Sequence, residues 1–223
     1  MKPRRQHQPS GHRRPHDATV TLSTATRELA AIGRRFYDRG WVMGTSGNFS
    51  AVMQRQPTRL AITASSVHKG TLGPRQILEI DDRATVLWPR GARASAEALL
   101  HLEIVKSRGA SAILHTHSLS STRLSTLHLE AGGFAIEGFE MLKGLEGVTT
   151  HRHREWIPVV DNDQDMTRLS GVVGQVLTDH PHAHAFLIAG HGLYTWGRSL
   201  ADAERHVEIL EFLFEVVERL QYR

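Results

Sequence analysis

The chain has 223 residues, 40% of them hydrophobic, and no cysteine. This length allows the chain to bury a substantial core as one domain. The absence of cysteine excludes disulfides, thiolate metal ligands and a cysteine nucleophile. The formal net charge is +4, but five positive charges precede the first acidic residue, Asp17. We therefore predict a disordered basic tail over residues 1–20 and a single folded domain over residues 21–223.

The basic tail offers a possible contact with nucleic acid, but a solvated tail is the simpler interpretation. Without the tail the chain is close to neutral. No apolar stretch approaches the roughly 18 residues that a membrane span needs, and the start lacks a signal-peptide core. We expect a cytoplasmic protein with neither a nucleic-acid nor a membrane partner.

The first half of the chain alternates between helical and extended patterns. Ser23 or Thr24 is expected to cap a helix that runs towards Arg39 and stops at Gly40. Short apolar runs between Gly, Pro and Asp turn signals then predict strands, and a helix precedes the last of them. The predicted strands cover residues 48–53, 59–63, 76–80, 84–88 and 111–117, and the helix covers residues 97–108.

The second half continues the alternation. Ser118 is expected to cap a helix, and Ser199 with Asp202 is expected to open the long final helix, whose apolar residues include Phe212 and Leu220. The other predicted elements are helices over residues 138–143 and 166–178 and strands over residues 156–160, 185–190 and 192–197. This mixture predicts an α/β fold with a central sheet flanked by helices.

A candidate metal site begins with His115 and His117, which end an apolar run. Side chains at i and i+2 of a strand share a face, so both imidazoles would point the same way. His191 is the best third ligand, because it also ends an apolar strand and Gly192 follows it at once. Three imidazoles leave one coordination position open, which is typical of a catalytic metal rather than a structural one.

Other clusters of possible ligands fit a metal less well. The histidines of residues 151–155 lie between arginines and were interpreted as a solvated loop, and those of residues 180–186 precede a strand instead of following one. Asp161, Asp163 and Asp165 have the opening spacing of a calcium loop, but the glycine and the closing glutamate that such a loop needs are absent. A helix-entry turn capped by Asp165 explains that cluster more simply.

Three small polar segments are suited to an anion such as phosphate: residues 44–50, 63–70 and 93–97. Their Gly and Ser backbone can present N–H groups, and hydroxyl, amide and ammonium groups stand beside it. Each segment alone is also compatible with an ordinary turn, and none has the spacing of a Walker A loop. The candidate phosphate-binding residues are Ser46, Gly47, Asn48, Ser65, Ser66, Lys69 and Ser95.

Several motifs together carry a family resemblance. GTSGNFS, ITASSVHKG, SAE, HTHS, GFEMLKG, PVVDNDQD and GHGLYTWG occur in the order seen in the class II aldolase/adducin family. The segments GFEMLKG and HGLYTWG are similar to those of a dehydratase branch that acts on a ketose phosphate. One departure is Ala94, where relatives often carry proline, with Arg93 in a place often held by lysine.

The resemblance implies a three-layer α/β/α sandwich with a central mixed or antiparallel sheet. It further implies one Zn²⁺ per subunit bound by His115, His117 and His191, a sugar-phosphate substrate held by the Ser/Gly/Asn segments, and a homotetramer with the site near a subunit interface. Residues 21–223 would then be a class II aldolase-like catalytic domain.

The same resemblance makes Glu140 the acid/base of the reaction. Its apolar neighbours are expected to raise the pKa of its carboxyl towards neutrality; a surface glutamate at a helix start is the alternative. Glu97 is a second base, a fourth metal ligand or a helix-terminal charge. The competing functions are a sugar-phosphate aldolase or epimerase, which would use the same metal and phosphate sites, and a non-catalytic interaction module of the adducin type.

Overall fold

The structure is a computed structural model that describes residues 20–221, so the predicted tail, apart from Val20, lies outside the described residues. The helices are α1 (Leu22–Asp38), α2 (Ala98–Arg108), α3 (Leu119–Leu127), α4 (Met166–Asp179) and α5 (Leu200–Gln221). Short 3₁₀ helices cover Lys69–Thr71, Pro74–Gln76 and Glu140–Gly144. The strands are β1 (Asn48–Arg55), β2 (Thr58–Thr63), β3 (Ile77–Ile80), β4 (Val86–Trp88), β5 (Ala112–Thr116), β6 (Gly133–Glu137), β7 (Arg154–Val160), β8 (Ala185–Ile188) and β9 (Gly192–Gly197).

The nine strands form one sheet in the order β4-β3-β2-β1-β5-β9-β8-β7-β6. β7 and β8 are parallel, and the other neighbouring pairs are antiparallel. The sheet is therefore mixed. β5 lies at its centre, between β1 and β9, and this order brings the C-terminal ends of β5 and β8 close to the start of β1.

Helices cover both faces of the sheet, as the alternation of buried side chains along the strands shows. In β2, Ile62 packs in a cluster with α2 and α4, whereas the neighbouring Ala61 packs in a cluster with α1 and the start of α5. Successive strand residues point to opposite faces, so these clusters lie on the two sides of the sheet. A third cluster joins α3, α5 and strands β6 to β9. The predicted three-layer α/β/α sandwich is confirmed.

Helix caps follow the local sequence closely. Ser118 caps α3 by accepting a hydrogen bond from the Ser121 amide at 3.0 Å, and Asp165 caps α4 by accepting bonds from the first-turn amides. The cap of α1 is Thr21 rather than Ser23 or Thr24. Caps are local interactions, so sequence places them to within a few residues.

Three expectations about elements were incomplete or wrong. Strand β6 was not predicted, because its five residues begin at the second glycine of a pair and form the edge of the sheet. The interpretation of residues 151–155 as a solvated loop is wrong at its end, since Glu155 lies within β7 and is 1% exposed. Phe212 and Leu220 of α5 are 48% and 51% exposed instead of buried in the core.

Within residues 20–221, no helix is both long enough and apolar enough to cross a bilayer.

Candidate active site

The three predicted histidines converge on one point. His115 is the fourth residue of β5, His117 follows the strand, and His191 stands in the turn between β8 and β9. The Nε2 atom of His115 lies 2.8 Å from that of His117 and 3.2 Å from that of His191. Two nitrogens bound about 2.05 Å from a tetrahedral zinc lie roughly 3.3 Å apart, so the spacing suits one shared metal ion.

The surroundings of His115 prepare its Nε2 atom for a metal. Its Nδ1 atom lies 2.8 Å from the Leu193 carbonyl oxygen, which can only accept, so Nδ1 carries the hydrogen and Nε2 keeps its lone pair. Burial lowers the pKa of His115 well below its usual value, and burial with the charge of His191 lowers that of His117 to about 4. Both imidazoles are therefore neutral at pH 7, as metal ligands must be.

Glu97 joins the histidines from the start of α2. It immediately precedes α2, and its Oε1 atom lies 3.1 Å from His191 Nε2 and 3.8 Å from His115 Nε2. Burial alone would raise the pKa of this carboxyl, but the hydrogen bond to His191 holds it well below its usual range. Glu97 thus lies where a fourth ligand is expected, and it offers an oxygen beside the three imidazole nitrogens. Of the three interpretations of Glu97, a simple helix-terminal charge is the least compatible with this geometry.

A buried polar chain fixes Glu97. The Asn48 side-chain amide donates to Glu97 Oε2, and its oxygen contacts His101 Nε2. The other nitrogen of His101 lies 2.7 Å from Ser50 Oγ. His101 is fully buried, and the sequence analysis did not assign it a role. The available signal was its spacing from Glu97, because residues i and i+4 share one face of a helix.

A cleft of about 390 Å³ opens from the candidate metal ligands. His117, His191 and Glu97 line one end of it. The rest of its wall comes from the predicted anion-binding segments and from the loop before α4. These further lining residues are Thr45, Ser46, Gly47, Asn48, Ala64, Ser65, Ser66, Arg93, Ala94, Ser95, Ala96, Asn162, Gln164 and Met166.

Most of the predicted phosphate-binding residues reach this cleft with polar groups. Ser46 Oγ is buried without a hydrogen-bond partner among the described residues, and the Ser65 and Ser66 hydroxyls lie 3.4 Å apart. Ser95 is already engaged with Glu97, since its Oγ accepts from the Glu97 amide at 3.3 Å and lies 3.4 Å from Glu97 Oε2. The hydroxyls of Ser46, Ser65 and Ser66 are therefore the ones available to a ligand, whereas the hydroxyl of Ser95 holds Glu97 in position.

Gly47 is required by the backbone beside the metal site. Its φ is +73°, and a Cβ atom there would lie 2.7 Å from the His115 carbonyl oxygen and 2.7 Å from a methyl group of Val42. Only glycine accepts this conformation and this approach without strain. The phosphate segment can therefore pack directly against β5, which carries the metal ligands.

Lys69 does not line the cleft, although the sequence analysis grouped it with the phosphate-binding residues. It is 1% exposed, and its ammonium donates to the carbonyl oxygens of Thr45 at 3.1 Å and Val67 at 3.0 Å. Burial lowers its pKa to about 8, and the charge of Glu97 partly opposes this shift. Lys69 thus links the predicted phosphate-binding segments of residues 44–50 and 63–70 through their backbone, and it adds a buried positive charge next to them.

Three cleft residues were not assigned by the sequence analysis. Among the described lining residues, Arg93 is the one with a permanent positive charge. Asn162 and Gln164 also line the cleft, and they lie in sequence between the aspartates that form the helix-entry turn of α4. The signal was present in both cases, because Arg93 adjoins SAE and the amides lie within PVVDNDQD.

Glu140 lies outside the cleft of its own chain. Its side chain is 71% exposed, its Oε1 accepts from Lys143 Nζ at 2.6 Å, and its Oε2 lies 3.7 Å from His151. The hydrogen bond and charge of Lys143 lower the pKa of this carboxyl. The expectation that apolar neighbours raise this pKa is therefore wrong for the isolated chain, because the side chain points into solvent.

The fold and the site together define a class of protein. A family model described as the class II aldolase and adducin N-terminal domain matches residues 27–217. The chain belongs to this family. The fold is also that of the L-fuculose-1-phosphate aldolase from Thermus thermophilus, with a TM-score of 0.69 and 25% identity over 90% of this chain and 96% of the other.

Sequence relatives narrow the comparison to one enzyme. The chain is 46% identical to a methylthioribulose-1-phosphate dehydratase from Methylococcus capsulatus over 92% of this chain and 97% of the relative. It is 44% identical to the enzyme of the same name from Pseudomonas aeruginosa over 85% of this chain and 91% of the relative. The predicted resemblance is confirmed.

Proposed function

We propose that the protein dehydrates 5-methylthioribulose 1-phosphate to 2,3-diketo-5-methylthiopentyl 1-phosphate in methionine salvage, as a cytoplasmic lyase with one catalytic Zn²⁺ per subunit. The observation that carries the proposal is the meeting of three imidazoles and Glu97 at one end of a cleft that elsewhere offers hydroxyl groups and Arg93. Relatives at 46% and 44% identity that carry this enzyme name support it.

The phosphate group is assigned to the end of the cleft away from the histidines. Ser46, Ser65 and Ser66 offer hydroxyl donors there, and the Arg93 guanidinium offers two parallel N–H donors that match phosphate oxygens. Lys69 beneath the segments adds charge without direct contact. This arrangement places the sugar carbon chain of the substrate beside the metal ligands.

The reaction removes the C3 proton beside the C2 carbonyl and expels the C4 hydroxyl. A bound divalent metal supplies Lewis acidity towards the developing negative charge on the sugar oxygens. His115, His117 and His191 would hold that ion, and Glu97 is assigned as a fourth ligand, because its Oε1 lies 3.1 Å from His191 Nε2. Asn48 keeps the Glu97 carboxylate aimed at this point.

Glu140 is assigned the proton transfer, acting in the cleft of a neighbouring copy of the chain. Its exposure supports this assignment, as does its position outside its own cleft. A closed ring of identical subunits lets each chain complete the next site, and a homotetramer of this kind is the assembly that the family resemblance implies. If Glu140 enters the cleft of a neighbouring subunit, its carboxyl leaves the solvent and its ion pair with Lys143.

Hybrid oligomers test this shared site. His191→Ala and Glu140→Gln are each expected to abolish most turnover alone. When the two variants are co-expressed in equal amounts, the hybrids should recover about one quarter of wild-type activity. Random assembly into a closed ring places an intact metal site beside an intact Glu140 in about one quarter of the sites. Hybrids no more active than the single variants would place Glu140 outside the neighbour's site.

A sugar-phosphate aldolase is the second candidate, and the position of Glu97 beside the triad favours it. A panel of methylthioribulose 1-phosphate, fuculose 1-phosphate and ribulose 5-phosphate distinguishes the activities. The dehydratase forms an enolising diketone from the first compound alone, whereas an aldolase cleaves fuculose phosphate to two carbonyl products. Cleavage without diketone formation would overturn the proposed function.

Paired variants separate the two carboxylates. Glu140→Gln should lower kcat by at least about 10² with metal content unchanged and KM within a few-fold, because only proton transfer is lost. Glu97→Gln should lower the metal content, as expected of a ligand. Near-normal turnover of Glu140→Gln with complete loss in Glu97→Gln would assign the proton chemistry to Glu97.

A further inference from the structure

A second cluster of possible metal ligands lies away from the cleft. His153, Glu155 and His184 bring one imidazole nitrogen, one carboxylate and another imidazole nitrogen to within 4.8 Å of one another. His153 Nε2 lies 2.7 Å from Glu155 Oε2, and His184 Nδ1 lies 3.0 Å from the same oxygen. Two imidazoles from separate loops thus converge on one carboxylate oxygen.

The fold holds this cluster firmly. Glu155 is 1% exposed within β7, and its Oε1 also accepts the backbone N–H of His184 at 2.9 Å. His184 Nε2 donates to the Glu146 carbonyl oxygen at 2.8 Å. The hydrogen on Nε2 directs the Nδ1 lone pair of a neutral ring towards Glu155, and a carbonyl partner of this kind orients histidine ligands in metal sites.

An ion can reach the cluster from one side. A cavity of about 200 Å³ adjoins it and is lined by His153 and Glu155 together with His180 and His182. The exposed fractions of the His153 and His184 side chains are 29% and 16%. The site therefore combines a buried anchor, two partly exposed imidazole side chains and an adjoining cavity with room for water or a further ligand.

We propose that His153, Glu155 and His184 form a second divalent-metal site, with zinc or a similar transition metal as its ion. Two nitrogens and one oxygen suit zinc, nickel or cobalt, whereas calcium and magnesium prefer oxygen ligands throughout. The metal binds the Nε2 lone pair of His153 and the Nδ1 lone pair of His184, and any proton that either nitrogen shares with Glu155 is released to solvent. The alternative occupant is a proton: a buried ion pair between Glu155 and protonated His184.

The second site is separate from the catalytic one and serves the fold. His184 precedes β8 and His191 follows it, and four strand residues alone span about 13 Å. The metal would join the loop before β8 to β7, its parallel neighbour. Its expected effect is on the stability of this edge of the sheet and not on turnover.

Metal stoichiometry tests the proposal on the full chain. Chelator-treated protein is reloaded with Zn²⁺, desalted and analysed by atomic emission. The wild type should retain two zinc ions per chain, and His153→Gln should retain one with unchanged turnover, because Gln keeps a hydrogen bond to Glu155 without being a zinc ligand. His191→Ala should also retain one, and the double variant none. His151→Ala, an exposed control in the same loop, should retain two.

Thermal unfolding gives a second measurement that is independent of catalysis. Added Zn²⁺ should raise the Tm of His191→Ala, which keeps only the second site, and leave that of the His153→Gln/His191→Ala double variant unchanged. One zinc per wild-type chain would overturn the proposal in favour of the ion pair. Two zinc ions retained by a folded His153→Gln would place the second ion elsewhere.

Discussion

The buried carboxyl of Glu211 offers a prediction whose size follows from its surroundings. Glu211 lies on α5, is 1% exposed, and accepts a hydrogen bond from Thr116 Oγ1 at 2.6 Å. Burial raises its pKa from 4.5 to about 7. The folded state therefore binds this proton more tightly than the unfolded chain does. The resulting stabilisation is complete below pH 4.5 and is lost as the pH rises through 7.

Glu211→Gln removes the titration while keeping the shape and the acceptor for Thr116. With pKa values of 4.5 unfolded and about 7 folded, the linkage relation gives a change of about 2.5 kcal/mol between pH 5 and pH 8. The variant should gain that amount over the wild type as the pH rises. Groups shared by both proteins cancel in the difference.

Urea unfolding of metal-free protein at pH 5 and pH 8, at one chain concentration, measures this difference. Glu215→Gln on the exposed face of the same helix is the matched control, and its unfolding free energy should stay within about 0.5 kcal/mol of the wild type. Wild-type and Glu211→Gln unfolding free energies that change in parallel with pH would show that Glu211 is not held in its protonated form by burial.

Three further variants test the catalytic site. His191→Ala should lose the zinc of the catalytic site and turnover together while circular dichroism stays unchanged, because the sheet is held by its own core; full activity would contradict the triad. Arg93→Ala should raise KM by at least about tenfold with kcat within a few-fold, as loss of a charged phosphate contact predicts; an unchanged KM in steady-state kinetics would move the phosphate elsewhere. Gly47→Ala should destabilise the protein by about 2 to 3 kcal/mol in urea unfolding, because its φ of +73° and the His115 carbonyl oxygen at 2.7 Å both oppose a Cβ atom. Gly44→Ala, with a φ of +59° and open space, is its control and should cost about 1 kcal/mol; equal losses would show that the close contact does not matter.

The sequence alone determined most of the elements of secondary structure and predicted the first candidate ligands of a metal. The apolar run that ends at His115 and His117 predicts a strand with both imidazoles on one side, and β5 has that form. Ser118 and Asp165 likewise predict the starts of α3 and α4. These features depend on periodicity and capping within a few residues, which a single sequence displays directly.

Only the tertiary structure decided how distant segments meet. Glu97 became a neighbour of His191 because β5 lies between β1 and β9, and no local pattern encodes that order. Glu140 likewise lies outside the cleft of its own chain, because its segment connects β6 to β7 and its position depends on where these strands lie in the sheet.

The pairing of β7 with β8 shows the same limit most clearly. The sequence predicts a solvated loop over residues 151–155 and places His184 in a segment that precedes a strand. The parallel pairing of the two strands brings these residues together around a buried carboxylate. Contacts between residues about 30 positions apart depend on the packing of the entire sheet, whereas the sequence pattern records only the preferences of each segment.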